Sequence, residues 1–269
     1  MDPTIFYIIV LAITGAGIGF ASGLLGIGGG FIMVPIQYWL FISIGVDPTL
    51  AIRMSLGTSL AVILPTAISG AYGHYRRNAV LVKPMVLLAI TGIIGGIFGG
   101  TIAANMPGAI LKVLFGITAL VVAVRMLFYK SPEVKKEPKD NNVYYIVGGF
   151  IVGIMSGLLG VGGGFIIVPF LVIAMGYDIH KSIGTSTAVI IFTSIGGILS
   201  YIFNGLNVPG LPPYSLGYIN LLQFVILAGA SIPVAQLGVK AAHRLPADKL
   251  NYIFIALLIY VGLNMIGII

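Results

Sequence analysis

The chain of 269 residues is 58% hydrophobic and 8% charged, carries a formal net charge of +7 and has no cysteine. Such a composition lacks the polar surface with which a soluble domain covers itself, so it describes an integral membrane protein. The missing cysteine excludes disulfides and thiolate metal or iron–sulfur sites. Apolar runs of helix length, without the alternation of roughly ten-residue strands, exclude an outer-membrane barrel and point to an all-α bundle.

In chain order, the apolar segments of the first half cover 4–25, 31–44, 50–72, 85–104 and 109–129. Nothing basic precedes the first of them, so it reads as a membrane segment and not as a cleaved signal. Asp47 before Pro48 is an N-cap followed by proline at the first helical position. A hydrophilic stretch, 130–142, then separates this half from a second series at 143–159, 165–175, 181–203, 218–239 and 250–269. Pro107 and Pro246 stand before the last helix of each half, and 204–217 is a loop rich in Pro and Gly.

The two series are copies of one unit. Ser22 to Pro35, which contains GLLGIGGGFIMVP, returns almost letter for letter as Ser156 to Pro169, which contains GLLGVGGGFIIVP. A second block, Gly57 to Val62, matches Gly184 to Val189, and Gly99, Ala103, Pro107 and Leu111 match Gly238, Ala242, Pro246 and Leu250. The chain therefore divides into a first repeat, 1–129, a linker, 130–142, and a second repeat, 143–269. Three consecutive glycines cannot hold a helix, each costing roughly 1 kcal/mol against alanine, so each repeat breaks there.

If the break is a kink, segments one and two form a single span and the repeats are parallel. If it is a hairpin tip, three full spans follow it and the repeats are inverted. The segment 31–44 is 14 residues, about 21 Å as a helix against a hydrocarbon core of roughly 30 Å, which favours a hairpin reaching part-way in. The hairpin arrangement also puts all but Arg53 and Lys112 of the fourteen basic residues on one side, whereas the kink makes the split nearly even. The positive-inside rule thus selects inverted halves, a cytoplasmic linker and both termini outside, in a multi-pass protein of the cell membrane.

Inverted repeats with broken helices are the architecture of secondary transporters, with the ligand between the breaks. Phe31 and Phe165 each begin a half-helix, so the amides of Gly28, Gly29 and Gly30 and of Gly162, Gly163 and Gly164 bring the positive ends of two helix dipoles together, an arrangement suited to an anion. Pro35 and Pro169 each leave a carbonyl free one turn back, that of Phe31 or Phe165. Thr58, Ser59, Thr185 and Ser186 lie at mid-membrane depth and offer hydroxyl donors to the same ligand; the alternative is that they bond their own helix or a neighbouring one. Gly92, Gly96 and Gly100, like Gly149, Gly153 and Gly157, read as packing seams. All carboxylates and imidazoles fall at predicted loops or helix ends, leaving neither a conventional proton relay nor the residues of an enzyme. No cofactor, metal or nucleic-acid partner is expected; the partners are the bilayer and a small anion. Export of an anion from a negative interior needs no coupling ion, since the potential supplies about 2.3 kcal/mol per charge per 100 mV.

The doubled GLLGxGGGFxxVP block, each copy followed by a GTSxAV block, resembles the TauE/SafE sulfite exporter family over nearly the whole chain. The resemblance implies export of sulfite, sulfoacetate or related sulfonates by two inverted halves, each a Gly-rich hairpin plus three full transmembrane helices, with the anion held at Gly28 to Phe31, Gly162 to Phe165 and the four hydroxyls. A passive anion channel, or a transporter of another small anion such as a carboxylate, is the alternative. In the first half Arg53 stands where the second has His180, and reads as an interfacial, snorkelling arginine.

Overall fold

A computed structural model of the chain describes residues 3–26, 28–128, 140–242 and 248–268. Most of the linker, Arg244 and Pro246 lie outside these. The described residues form helices in the expected order, five in each half: α1 (Pro3–Leu25), α2 (Gly30–Ser43), α3 (Pro48–Tyr75), α4 (Val82–Asn105) and α5 (Gly108–Phe128), then α6 (Asn142–Leu159), α7 (Gly164–Pro169), α8 (Ile179–Gly205), α9 (Leu221–Ala242) and α10 (Asp248–Ile266). Seven of them, α1, α3, α4, α5, α6, α8 and α9, are long and apolar enough to cross a membrane. The expected cap is present: the Asp47 carboxylate accepts from the amides of Thr49 and Leu50 ahead of Pro48. Asp178 caps α8 in the same way, through the amides of His180 and Lys181. The loop before α9 is tied by a two-residue antiparallel ladder, Ser215–Leu216 with Ile219–Asn220, so the helix starts at Leu221 and not at Tyr218.

The glycine break is a hairpin. In the second half the chain doubles back so that a Cβ on Gly148 of α6 would lie 3.0 Å from the Phe170 ring, and the hydroxyls of Tyr145 and Tyr177 meet at 2.9 Å. Beyond Pro169 the returning arm widens into a π-helical turn, Phe170–Ala174. The outgoing arms are longer than a hairpin that stops half-way would need. α1 has 23 residues, about 34 Å, and Gly26 at its end packs on Ile183 in α8, while Gly160 packs on Leu56 in α3. Each outgoing arm therefore passes the middle of the bundle before the glycines turn the chain back beside Ile63 and Ile190.

The packing repeats when the halves are exchanged. α1 lies along α9 of the other half, with Gly19 on Ser231 and Gly23 on Ala235, and α6 lies along α4, with Gly153 on Gly92 and Gly157 on Gly96. In both seams the contacts advance in step, so the paired helices run parallel. The corresponding helices α3 and α8 run antiparallel, Gly57 facing Tyr201 and Gly70 facing Thr187. The seams are close enough that Gly99 faces the carbonyl of Ile154 as its repeat counterpart Gly238 faces that of Phe20. Gly99→Ala is therefore expected to lower stability by about 1–3 kcal/mol through overpacking, measured as the unfolding temperature of the purified protein, while Gly229→Ala, with open space around it, should melt like the unsubstituted chain.

Charge is distributed unevenly along the bundle axis. Lys83 pairs with Asp140 at 2.6 Å, Gly184 packs on Ala79, and Gly73 packs on Gln236 and Val239, which brings the α3–α4 turn, the starts of α6 and α8 and the end of α9 to one end. Among the described basic residues, Arg53 and Lys112 lie at the other end. There Arg53 donates to the Met106 carbonyl at 3.0 Å and the Tyr218 hydroxyl at 3.3 Å, and the Lys112 ammonium lies 4.8 Å from the centre of the Tyr38 ring. Arg53 is thus bonded inward and does not snorkel.

Candidate functional site: two glycine tips in contact

The two hairpin tips meet at the level of Ile63, near the middle of α3. A Cβ on Gly28 would stand 2.8 Å from the Val161 carbonyl, and one on Gly30 would stand 2.6 Å from the Val161 Cα and 2.7 Å from the Gly160 carbonyl. Gly28, Gly29, Gly162 and Gly163 all have φ between 72° and 83°, a region that side-chain-bearing residues rarely adopt. This left-handed pair turns the chain into the returning helix. The first bonds of those helices run from Ile32 and Met33 to the Gly29 carbonyl, and from Ile166 and Ile167 to that of Gly163. The amides of Gly30, Phe31, Gly164 and Phe165 precede them and have no partner within their own helix. Two helix N-termini therefore converge on one place, with the Phe31 and Phe165 rings edge to face at 5.2 Å and Phe115 against Phe31 at 5.6 Å.

Each hydroxyl block clasps the tip of the opposite half. Ser59 donates to the Gly160 carbonyl at 2.7 Å, and Ser186 donates to the Gly26 carbonyl at 2.9 Å. Thr58 and Thr185 instead accept, from the Asn220 amide and the Leu81 amide, both at 2.9 Å. All four side chains are fully buried. The serine hydrogens are committed to backbone, whereas a threonine hydroxyl that accepts still has its own hydrogen to give. Of the expected site residues, then, Gly28 and Gly30 are brought against the opposite tip and Phe31 against Phe165, whereas Gly29, Gly162 and Gly163 pack on Ile18, Ile190 and Val152. The serines hold the tip carbonyls, and the threonines stand one position away on the same helices.

Several buried or half-buried polar groups escaped the reading of the sequence. Arg125, in the last turn of α5, reaches the Phe165 carbonyl at 3.1 Å, the group that Pro169 leaves without a helical donor. Ser156 is fully buried beneath Gly163, and its hydroxyl has no hydrogen-bond partner among the described residues; the same holds for Ser194 and for both amide atoms of Gln37 in α2. Gln223 gives its Nε2 to the Tyr7 hydroxyl at 2.6 Å and leaves Oε1 unpartnered. A signal existed for two of these: Ser156 repeats Ser22 at the head of the doubled block, and Gln37 is the lone amide in its apolar run.

A doubled glycine hairpin over two copies of one unit is a specific signature, and it is matched from Leu11 to Met265 by the family described as Sulfite exporter TauE/SafE. This chain belongs to the TauE/SafE family. A protein of Haemophilus influenzae named as a probable membrane transporter protein is 31% identical over 259 residues, covering 96% of this chain and 98% of the relative. One of Methanocaldococcus jannaschii with the same description is 32% identical over 260 residues, 96% of this chain and 94% of the relative. A third, from Xylella fastidiosa, is 28% identical over 270 residues. No solved structure matches. As a TauE/SafE member with seven membrane-length apolar helices, the chain is a multi-pass membrane protein of a transporter family.

Proposed function

We propose that the chain exports a small sulfur oxyanion, sulfite or an organosulfonate, across the cell membrane by alternating access, with the anion held between the two glycine tips. The observation that carries this reading is the convergence of two helix N-termini, each led by left-handed glycines, at one point in the middle of the bundle. Peptide N–H groups and helix dipoles bind an oxyanion without burying an opposite charge. The family description supplies the sulfur oxyanion, and the relatives' names supply transport. Antiparallel crossing of the corresponding helices α3 and α8, and collection of basic residues at one end, support inverted halves with that end cytoplasmic and both termini outside. In the conformation described here the tips touch, so binding requires them to part.

The test is flux of sulfite, sulfoacetate and sulfate in proteoliposomes at clamped potential with equal pH on both sides. Saturable flux of a sulfur oxyanion that rises with potential is expected, together with counterflow, which a passive channel lacks. Ser156→Ala should not lower the unfolding temperature, because a buried hydroxyl without a partner carries a desolvation cost that its removal relieves, and should raise the half-saturating concentration roughly tenfold if that hydroxyl serves the anion. Flux that depends on a proton gradient at fixed voltage would refute uncoupled export.

A further inference from the structure

At the basic end of the bundle, α3 and α9 enclose a crevice of about 660 Å³ lined by Tyr72, Gly73, Arg76, Arg77, Gln236 and Lys240. Three of these residues are cationic and none is acidic. Arg77 is steadied by a 2.7 Å bond to the Gly73 carbonyl, and the Arg76 guanidinium lies 5.8 Å from the centre of the Tyr72 ring. Gln236 closes the inner wall by donating to the carbonyl and hydroxyl of Ser69. One to two turns further into the bundle, the same helices present apolar side chains outward: Ile68 is 52% exposed and Ile232 37%.

The internal repeat supplies a control. Through the blocks that match Gly57 to Gly184 and Gly99 to Gly238, the positions Gly73, Arg77 and Lys240 correspond to Ser200, Asn204 and Thr101. At that opposite end the crevice is neutral and bonded shut: Asn204 donates to the Ser200 carbonyl at 2.9 Å and its hydroxyl at 3.2 Å, and the Thr101 and Ser200 hydroxyls meet at 2.9 Å. The fold packs this joint without cations, so the three at the basic end are not there to hold α3 to α9. Like charges gathered in a crevice repel one another unless an anion joins them.

We propose that this crevice binds the phosphate headgroup of an anionic membrane phospholipid, with Arg76, Arg77 and Lys240 around the phosphate and an acyl chain along Ile68 and Ile232. The apolar wall decides for a lipid over a free anion, which would use only the cations. Tyr72, 60% exposed, stands where aromatic residues mark the membrane–water boundary, and basic pockets between helices at that level take lipid phosphates. The site is separate from the glycine tips and does not depend on which anion is transported.

The experiment is native mass spectrometry and thermal unfolding of the full chain in detergent, titrated with phosphatidylglycerol, phosphatidylcholine or inorganic phosphate. Unsubstituted protein should retain and be stabilised by phosphatidylglycerol alone. The triple variant Arg76→Gln, Arg77→Gln, Lys240→Gln should bind it roughly a hundredfold more weakly, while Lys83→Gln with Lys181→Gln, at the same end but outside the crevice, should bind normally. Equal binding of phosphatidylcholine by the unsubstituted protein, or undiminished binding of phosphatidylglycerol by the folded triple variant, would overturn the proposal. Displacement of the lipid by millimolar inorganic phosphate would replace it with a free-anion site.

Discussion

Gly30→Ala is expected to abolish transport and to lower stability by about 3 kcal/mol or more, at the upper end of the overpacking range. The new methyl group would meet the Val161 Cα and the Gly160 carbonyl, both backbone of the opposite tip, so no side-chain rotation relieves it. Gly30 opens α2 and is not among the positive-φ glycines, which makes the test one of contact between tips and not of backbone strain. Gly17→Ala, with nothing within 4 Å, serves as the control. Unfolding temperature and proteoliposome flux would be read together. A variant that melts and transports like the unsubstituted chain would mean that the tips do not touch.

Ser59→Ala and Ser186→Ala should each cost about 1–3 kcal/mol, because each leaves a buried tip carbonyl, that of Gly160 or Gly26, without its donor. The two bonds restrain opposite sides of one tip-to-tip contact, so the double variant should depart from additivity by about 0.5–3 kcal/mol. Hydrogen exchange at the amides of 28–31 and 162–165 should accelerate in each single variant. Strict additivity with unchanged exchange would show the two clasps to be independent of the contact between the tips.

These clasps also show how far the sequence could be read. Three glycines in a row announced a break, a 14-residue return segment announced a hairpin, and Asp47-Pro48 announced a helix start, because each rests on local backbone chemistry. The hydroxyl block was legible as a repeated motif, yet nothing local told that Ser59 would be committed to a carbonyl 101 residues away while Thr58 would accept an amide 162 residues away. Arg125 was hidden for the same reason. In the sequence it is one of the twelve basic residues that the hairpin puts on one side, and only the folded chain brings the Phe165 carbonyl within its reach. The overshoot of α1 past the middle was equally invisible, since the length of an apolar run does not say where along it the neighbouring helices begin.

The seam between α1 and α9 has a consequence for how the molecule is made. α6 finds α4 already present when it emerges from the ribosome. The stripe Gly15, Gly19 and Gly23 of α1 must wait until Leu227, Ser231 and Ala235 have been translated, some two hundred residues later. Until then that face of α1 stays uncovered, and the glycine tip it carries has no opposite tip to rest on until α6 and α7 follow. A chain that ends between α8 and α9 therefore has α6 seated on α4 while the glycine stripe of α1 still has no partner.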